Sequence, residues 1–274
     1  MDRQGFIDFN TRFSPESSGK AGSYAQAIKI LDEVLPHQKV INLNGLSLYD
    51  IHNITVLEKV MDFVKEEVKK MKVGKPNIFD YGNPNQKSYP LRGFCSAALS
   101  SLIEYALYDG AERIVAKETN PHNISTKLIT YFDIAKEGED VDSQTKRRKG
   151  QDFFRRMILA NYGGRCALTG IDIPELLFAS HIIPWRDKLH KKERLNPRNG
   201  ICLSALYDKA FDKGLIGFDP DMRTVLSKRI RENESKEYYN EYFAPIDGRK
   251  LFLPSQYIPE PSFLEWHMDN IFQK

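Results

Sequence analysis

The sequence predicts an α+β protein. An all-helical part covers residues 1–145, and a mixed part, 146–274, is built around two short strands and a helix with further helices at its flanks. Three observations predict this. In the front part apolar residues recur at spacings of three and four, the period of an amphipathic helix. From residue 176 the pattern changes to short apolar runs, a long polar loop and one compact helical stretch. Between the two lies EGEDVDSQTKRRKGQDFF, poor in apolar residues, where acidic residues give way to Lys146, Arg147, Arg148 and Lys149. This stretch reads as a junction near residue 145; the basic cluster suits a solvated linker or a phosphate contact.

Each element has its own signal. In SGKAGSYAQAIKILDEVLP, Tyr24, Ile28, Leu31 and Leu35 share one helical stripe. Thr55 and Glu58 have capping-box spacing before a helix that carries Leu57, Val60, Val64 and Val68, with Gly74 and Pro76 beyond its end. KPNIFDYGNPNQK is turn-rich. A third helix is expected from Tyr89 to Tyr108, with Pro90 in its first turn and Gly110 just past it. QDFFRRMILANYGG reads as a helix ended by Gly163 and Gly164, and CALTG as a turn. LLFASHI and NGICLS are strand-like, and PWRDKLHKKERLNPRN between them is a polar loop. SALYDKAFDKG is a short helix that Ser204 is placed to cap and Gly214 to stop.

Bulk properties narrow the function classes. The 274 residues leave room for two ordinary domains. No apolar run approaches the ~18 residues a membrane span needs, and MDRQGFIDFN lacks a secretory pattern. Cys95, Cys166 and Cys202 form no C-x-x-C pair, which suits a reduced, cytoplasmic setting. No phosphate-binding glycine loop is present, so movement along a polymer driven by ATP is not expected. Charge is uneven: residues 1–145 carry 17 Lys/Arg against 20 Asp/Glu, and 146–274 carry 23 against 17. A basic back half suits an anionic partner as well as plain solvation.

The chemistry concentrates in the back half. Asp208 and Asp212 stand four apart on the expected helix, on one face and one turn apart. Two carboxylates so placed repel unless a cation lies between them, and oxygen ligands favour a hard ion, Mg²⁺ first and Mn²⁺ second. His181 ends the first strand, where pairing with the second would set it opposite that face. An imidazole is a competent proton acceptor near neutral pH. The intervening loop carries Arg186, Lys188, Lys191, Lys192, Arg194 and Arg198 against Asp187 and Glu193, a surface suited to phosphates. Of these, Arg186, Lys188, Arg194 and Arg198 are the candidate DNA-binding residues. Base, cation and basic loop together can hydrolyse a phosphodiester. Taken singly, a strand histidine is as readily a packed core residue and a D-x-x-x-D pair a solvated face.

The run ASHIIPW…RLNPRNGICLSALYDKAFDKGLIGF resembles the HNH endonuclease family, and within it the branch found in bacterial restriction and defence nucleases. The similarity extends from about Phe153 through the closing LPSQYIPEPSFLEWHMDNIF. The resemblance implies a ββα-metal fold, two strands and a helix around one divalent cation. By position it makes His181 the general base, Asn199 the residue that braces the loop and aims the histidine, and Asp208 and Asp212 the metal side. It implies double-stranded DNA as substrate and, for cutting both strands, a homodimer. Residues 1–145 would then serve targeting, partner binding or dimerisation.

Two positions depart from the family pattern. Many members carry an acidic residue or histidine directly before the base, where this chain has Ser180. Many also hold a structural zinc in paired C-x-x-C knuckles; Cys166 and Cys202 have no such partners, so no structural zinc is expected and both read as core residues. Two other readings stand beside a Mg²⁺-dependent restriction or defence nuclease. One is a DNA-binding module with a decayed site. The other is a nuclease subunit of a multi-protein defence or toxin complex.

Overall fold

The structure is a computed structural model that describes residues 1–11, 19–132 and 141–274, the side chains of 141–147 apart. It divides into two compact units, Met1–Arg113 and Ile114–Lys274. The composition break near residue 145 falls inside a helix of the second unit. Among the described residues no helix is long and apolar enough to cross a membrane.

The first unit is helical: α1 (Arg3–Thr11), α2 (Lys20–Val34), α3 (Ile54–Lys72), the short α4 (Ser88–Leu91) and most of α5 (Phe94–Lys117). The expected stripes face inward. Ile28, Leu31 and Leu35 are buried with Leu57, Val60 and Val64 and with Leu99 and Leu102 of α5, while Tyr24 and Val68 pack at the margin. Two expectations fail in detail. Asn53, not Thr55, caps α3, its side chain accepting from the Val56 amide at 3.4 Å. Asparagine is among the strongest N-caps, and it lies just upstream. Nor does Gly110 end α5, which runs seven residues further to Lys117. The good helix formers of AERIVAK outweigh the ~1 kcal/mol that an internal glycine costs. The real break comes earlier: Gly93, with φ of 79°, separates α4 from α5.

The second unit begins with the end of α5, α6 (Pro121–Tyr131) and α7 (Val141–Asn161). Residues 146–149, expected as a solvated linker or a phosphate contact, therefore lie on a helix. The acidic residues up to 140 lie outside the described residues. Gly163 and Gly164, with φ of 61° and 68°, end α7 as expected. Then come β1 (Leu177–His181), the loop, β2 (Gly200–Ser204), α8 (Ala205–Asp212), the hairpin β3 (Ile216–Phe218) and β4 (Thr224–Leu226), α9 (Lys228–Arg231) and α10 (Pro261–Asn270). This is the predicted α+β class, with a helical N-terminal region followed by a ββα core.

β1 and β2 pair antiparallel, with Ser180 opposite Ile201 and His181 opposite Gly200. Every residue of β2 is buried. α7 covers the pair at Gly200, where a Cβ would lie within 2.6 Å of two Ile158 side-chain atoms and within 2.8 Å of Phe154. Glycine at 200 is thus a condition of this close packing, not of a turn. The C-terminal segment wraps the same unit. Phe252 donates to the Ala167 carbonyl at 2.7 Å, and Gln273 to Gly214 at 2.9 Å.

Candidate active site

β1, β2 and α8 place His181, Ser180, Asp208 and Asp212 around one cavity of about 590 Å³, completed by Phe178, Trp185, Arg186, Lys209 and Lys213 among others. Because β2 passes directly into α8, the register of the strand pair fixes which turn of the helix faces the end of β1. Ser204 occupies the N-cap position but makes no side-chain cap. Its amide donates instead to Cys166 Sγ at 3.2 Å, tying the start of α8 to the CALTG turn.

His181 is held on three sides. Its ring stacks on Phe154 at 3.9 Å and 15°, and Trp185 meets it edge-on at 5.6 Å. Its Nε2 lies 2.9 Å from the Arg194 carbonyl. A carbonyl only accepts, so Nε2 carries the proton and Nδ1 keeps the lone pair. Burial pushes the imidazole pKa down to about 4, against the raising effect of that hydrogen bond, and the Arg194 charge lowers it too. The ring is therefore neutral at pH 7.

Asn199 is 1 % exposed and binds three backbone groups. Its Oδ1 accepts from the Ile183 amide at 2.8 Å. Its Nδ2 donates to the carbonyls of Ile183 at 3.2 Å and Glu193 at 3.0 Å. One side chain thus ties the outgoing end of β1 to the far limb of the loop, one peptide from the carbonyl that orients His181.

The carboxylates differ in setting. Asp208 is half-buried and Asp212 is exposed. Ser180 is 2 % exposed, and its hydroxyl donates to Asp208 Oδ1 at 2.6 Å. Burial raises the Asp208 pKa; the Ser180 hydrogen bond opposes this, and the Asp212 charge raises it further. A cation between the two would reverse the burial and repulsion effects. Among the described residues no three His, Cys, Asp or Glu side chains gather closely enough to hold a metal ion. Two carboxylates without a third protein ligand suit Mg²⁺, which keeps several waters and takes further oxygens from substrate phosphates. The donor set fits such an ion, which Asp208 and Asp212 would hold.

The predicted phosphate-binding residues divide. Arg186 lines the cavity, and Lys188 is exposed on the loop. Arg194 Nε donates to the Trp185 carbonyl at 2.8 Å, and its guanidinium lies 5.5 Å from the Trp185 ring centre. Arg198 pairs with Glu260 at 2.5 Å and donates to the Ile258 carbonyl at 2.9 Å. These two serve the loop and the tail. Lys209 and Lys213, each directly after one of the two aspartates, also line the cavity; that alternation with Asp208 and Asp212 is their signal in the sequence. Arg155 donates to the Leu177 and Pro174 carbonyls and lies 5.7 Å from the Phe178 ring centre. Nothing in its sequence context marks it.

All three cysteines are free and buried. At Cys166, burial raises the thiol pKa, but hydrogen bonds from Thr169 and the amides of Leu168, Thr169 and Ser204 outweigh it, and the net direction is down. The second position of a C-x-x-C knuckle is Thr169, whose hydroxyl reaches the sulfur. Burial pushes the Cys202 thiol up to about 12.

Residues 166–219 match the model of a family described as HNH endonuclease. No curated protein matches the chain. The matched span holds all eight predicted site residues and the whole ββα core; α6, α7 and the C-terminal segment lie outside it.

Proposed function

From the premise that residues 166–219 are an HNH endonuclease domain, we propose that this chain is a divalent-metal-dependent endonuclease acting on double-stranded DNA. One observation carries the reading: His181 has Nε2 committed to a carbonyl and lines the cavity that holds Asp208 and Asp212. Nδ1 takes the proton from a water molecule, whose oxygen attacks phosphorus as the P–O bond to the leaving sugar oxygen breaks and that oxygen takes a proton from solvent. The imidazolium so formed is favoured by the phosphate anion beside it. Asn199 keeps the ring aimed by holding the loop. Arg186, Lys188, Lys209 and Lys213 grip the phosphate backbone. Asp208 and Asp212 would hold a Mg²⁺ or Mn²⁺ ion, which would supply charge stabilisation for the attacked phosphate and the leaving oxygen.

We assign the enzyme to restriction or phage defence, and the front part up to residue 145, apart from α6, to targeting, partner binding or self-association. Its slight acidic excess suits those roles better than a main DNA grip. Cutting both strands with one site per chain favours a homodimer on the substrate. Ser180 favours a second reading, a DNA-binding module with a decayed site, since a hydroxyl replaces a charged ligand.

Supercoiled plasmid incubated with and without Mg²⁺ separates the two. The nuclease reading expects nicked or linear product that requires the ion and is lost in His181→Ala. A His181→Ala protein cutting at the wild-type rate, or a wild-type protein that binds plasmid without cutting it in Mg²⁺ or Mn²⁺, overturns it.

A further inference from the structure

Helix α6 lies outside the matched span, yet it reaches the segment that orients His181. Ser125, fully buried, accepts a hydrogen bond at its hydroxyl from the Leu195 amide at 3.1 Å. His122 Nδ1 lies 2.7 Å from Glu193 Oε1, and Asn196 Nδ2 donates to Glu193 Oε2 at 2.7 Å. Ile124 and Leu128 of α6 are fully buried, as is Leu195. The three residues 193–195 are therefore held from two directions. Asn199 takes the Glu193 carbonyl, α6 takes the Glu193 carboxylate and the Leu195 amide, and the Arg194 carbonyl between them accepts from His181.

That carbonyl belongs to a long polar loop. Without fixed neighbours it would exchange the imidazole for water at little cost, because a net protein hydrogen bond is worth only about 1 kcal/mol. We propose that Ser125 and His122 are positioning residues for the general base. By fixing residues 193–195 they keep the Arg194 carbonyl on Nε2–H, and so keep Nδ1 as the atom that accepts the proton. The consequence for rate rests on the endonuclease reading; the consequence for the His181 tautomer does not.

Two readouts test the proposal on the full chain. Long-range ¹H–¹⁵N correlation spectra report which ring nitrogen of His181 is protonated, and plasmid cleavage reports kcat and KM. Wild type is expected as the Nε2–H tautomer. Ser125→Ala is expected to show a mixture of tautomers and a kcat lower by about 10-fold at unchanged KM, the size expected of a sub-ångström misplacement. Ser125→Thr, which keeps the hydroxyl, is expected to restore both. His122→Ala alters an exposed side chain and is expected to shift both readouts the same way, by about 2-fold to 3-fold. A pure Nε2–H tautomer in His122→Ala and in any Ser125→Ala protein that folds overturns the proposal. Should wild type show the tautomer and the variants its loss while no DNA is cut, the nuclease reading fails and the positioning role stands.

Discussion

The Ser180 hydroxyl donates to Asp208 Oδ1 at 2.6 Å, joining the penultimate residue of β1 to the first turn of α8. The hydroxyl orients a half-buried carboxylate that its surroundings otherwise push toward protonation. It brings no charge of its own, so an ion there would be held chiefly by Asp208 and Asp212. Ser180→Asp should add a third carboxylate at the same point. We expect the Mg²⁺ concentration for half-maximal cleavage to fall by about 10-fold, since carboxylate count tunes affinity for a hard cation. In EDTA the same variant should melt at a lower temperature than wild type, because the added charge meets Asp208 unscreened. An unchanged Mg²⁺ midpoint would place the ion elsewhere.

Asn199 makes its three backbone hydrogen bonds from a fully enclosed position. Asn199→Ala leaves the Ile183 amide and two carbonyls without that partner, and should cost about 2–4 kcal/mol in chemical denaturation. Cleavage should fall by about 100-fold, because the loop that orients His181 is released. Asn199→Asp keeps the acceptor for the Ile183 amide but sets a buried carboxylate oxygen against the Ile183 and Glu193 carbonyls, so it should be at least as destabilised and equally slow. An Asn199→Asp protein cutting like wild type would show that the Glu193 carbonyl needs no grip from this side.

How much of this was legible in the sequence follows from where the information sits. Apolar periodicity reports which face of a helix is buried, and the stripes of α2 and α3 were readable for that reason. Strand, loop, strand and helix followed from short-range pattern, which also singled out His181, Asp208 and Asp212 as candidates; Asn199 stood out only through the resemblance to the HNH endonucleases. Helix ends were misread where two local signals competed: Asn53 against Thr55, and Gly110 against the helix formers after it. Contacts made through backbone atoms leave no residue-type signature. The Arg194 carbonyl on His181 is one, and the Leu195 amide on Ser125 is another, separated by 70 positions. The use of arginine as a structural donor, at Arg155, Arg194 and Arg198, is likewise invisible until its acceptor carbonyls are located.

The division among the cations can be read in salt dependence. Each phosphate contact removed should lower the slope of log affinity against log salt by about 1. Lys209→Ala and Lys213→Ala should each do so, as should Arg186→Ala, with modest loss of stability because the lysine side chains are exposed or lie at the cavity rim. Arg198→Ala should leave the slope unchanged and lower the melting temperature, since its guanidinium holds Glu260 and the Ile258 carbonyl. Binding of a short duplex by the EDTA-treated protein between ~50 and ~200 mM salt measures all four. A slope change at Arg198 equal to that at Lys213 would put the tail arginine on DNA.

His267 of α10 is 2 % exposed and stacks on Phe211 of α8 at 3.9 Å and 8°. Its Nδ1 is buried without a partner among the described residues. Burial pushes its pKa down to about 4, against a hydrogen bond to the Phe211 backbone that raises it. His181 is shifted in the same direction. An unfolded histidine binds its proton near pH 6.5, so between about 6.5 and 4 the unfolded chain holds more protons than the folded one. Stability is then fully present above about pH 6.5 and is lost as pH falls, by up to about 1.4 kcal/mol per pH unit for each histidine. His267→Phe keeps an aromatic ring against Phe211, removes the unpartnered nitrogen and cannot titrate. The stability lost between pH 7 and pH 5 should shrink by about 2 kcal/mol in that variant, measured by urea unfolding at the two values. The same loss in both proteins would mean that His267 takes up its proton in the folded state near the ordinary value, with water reaching Nδ1 beneath α10.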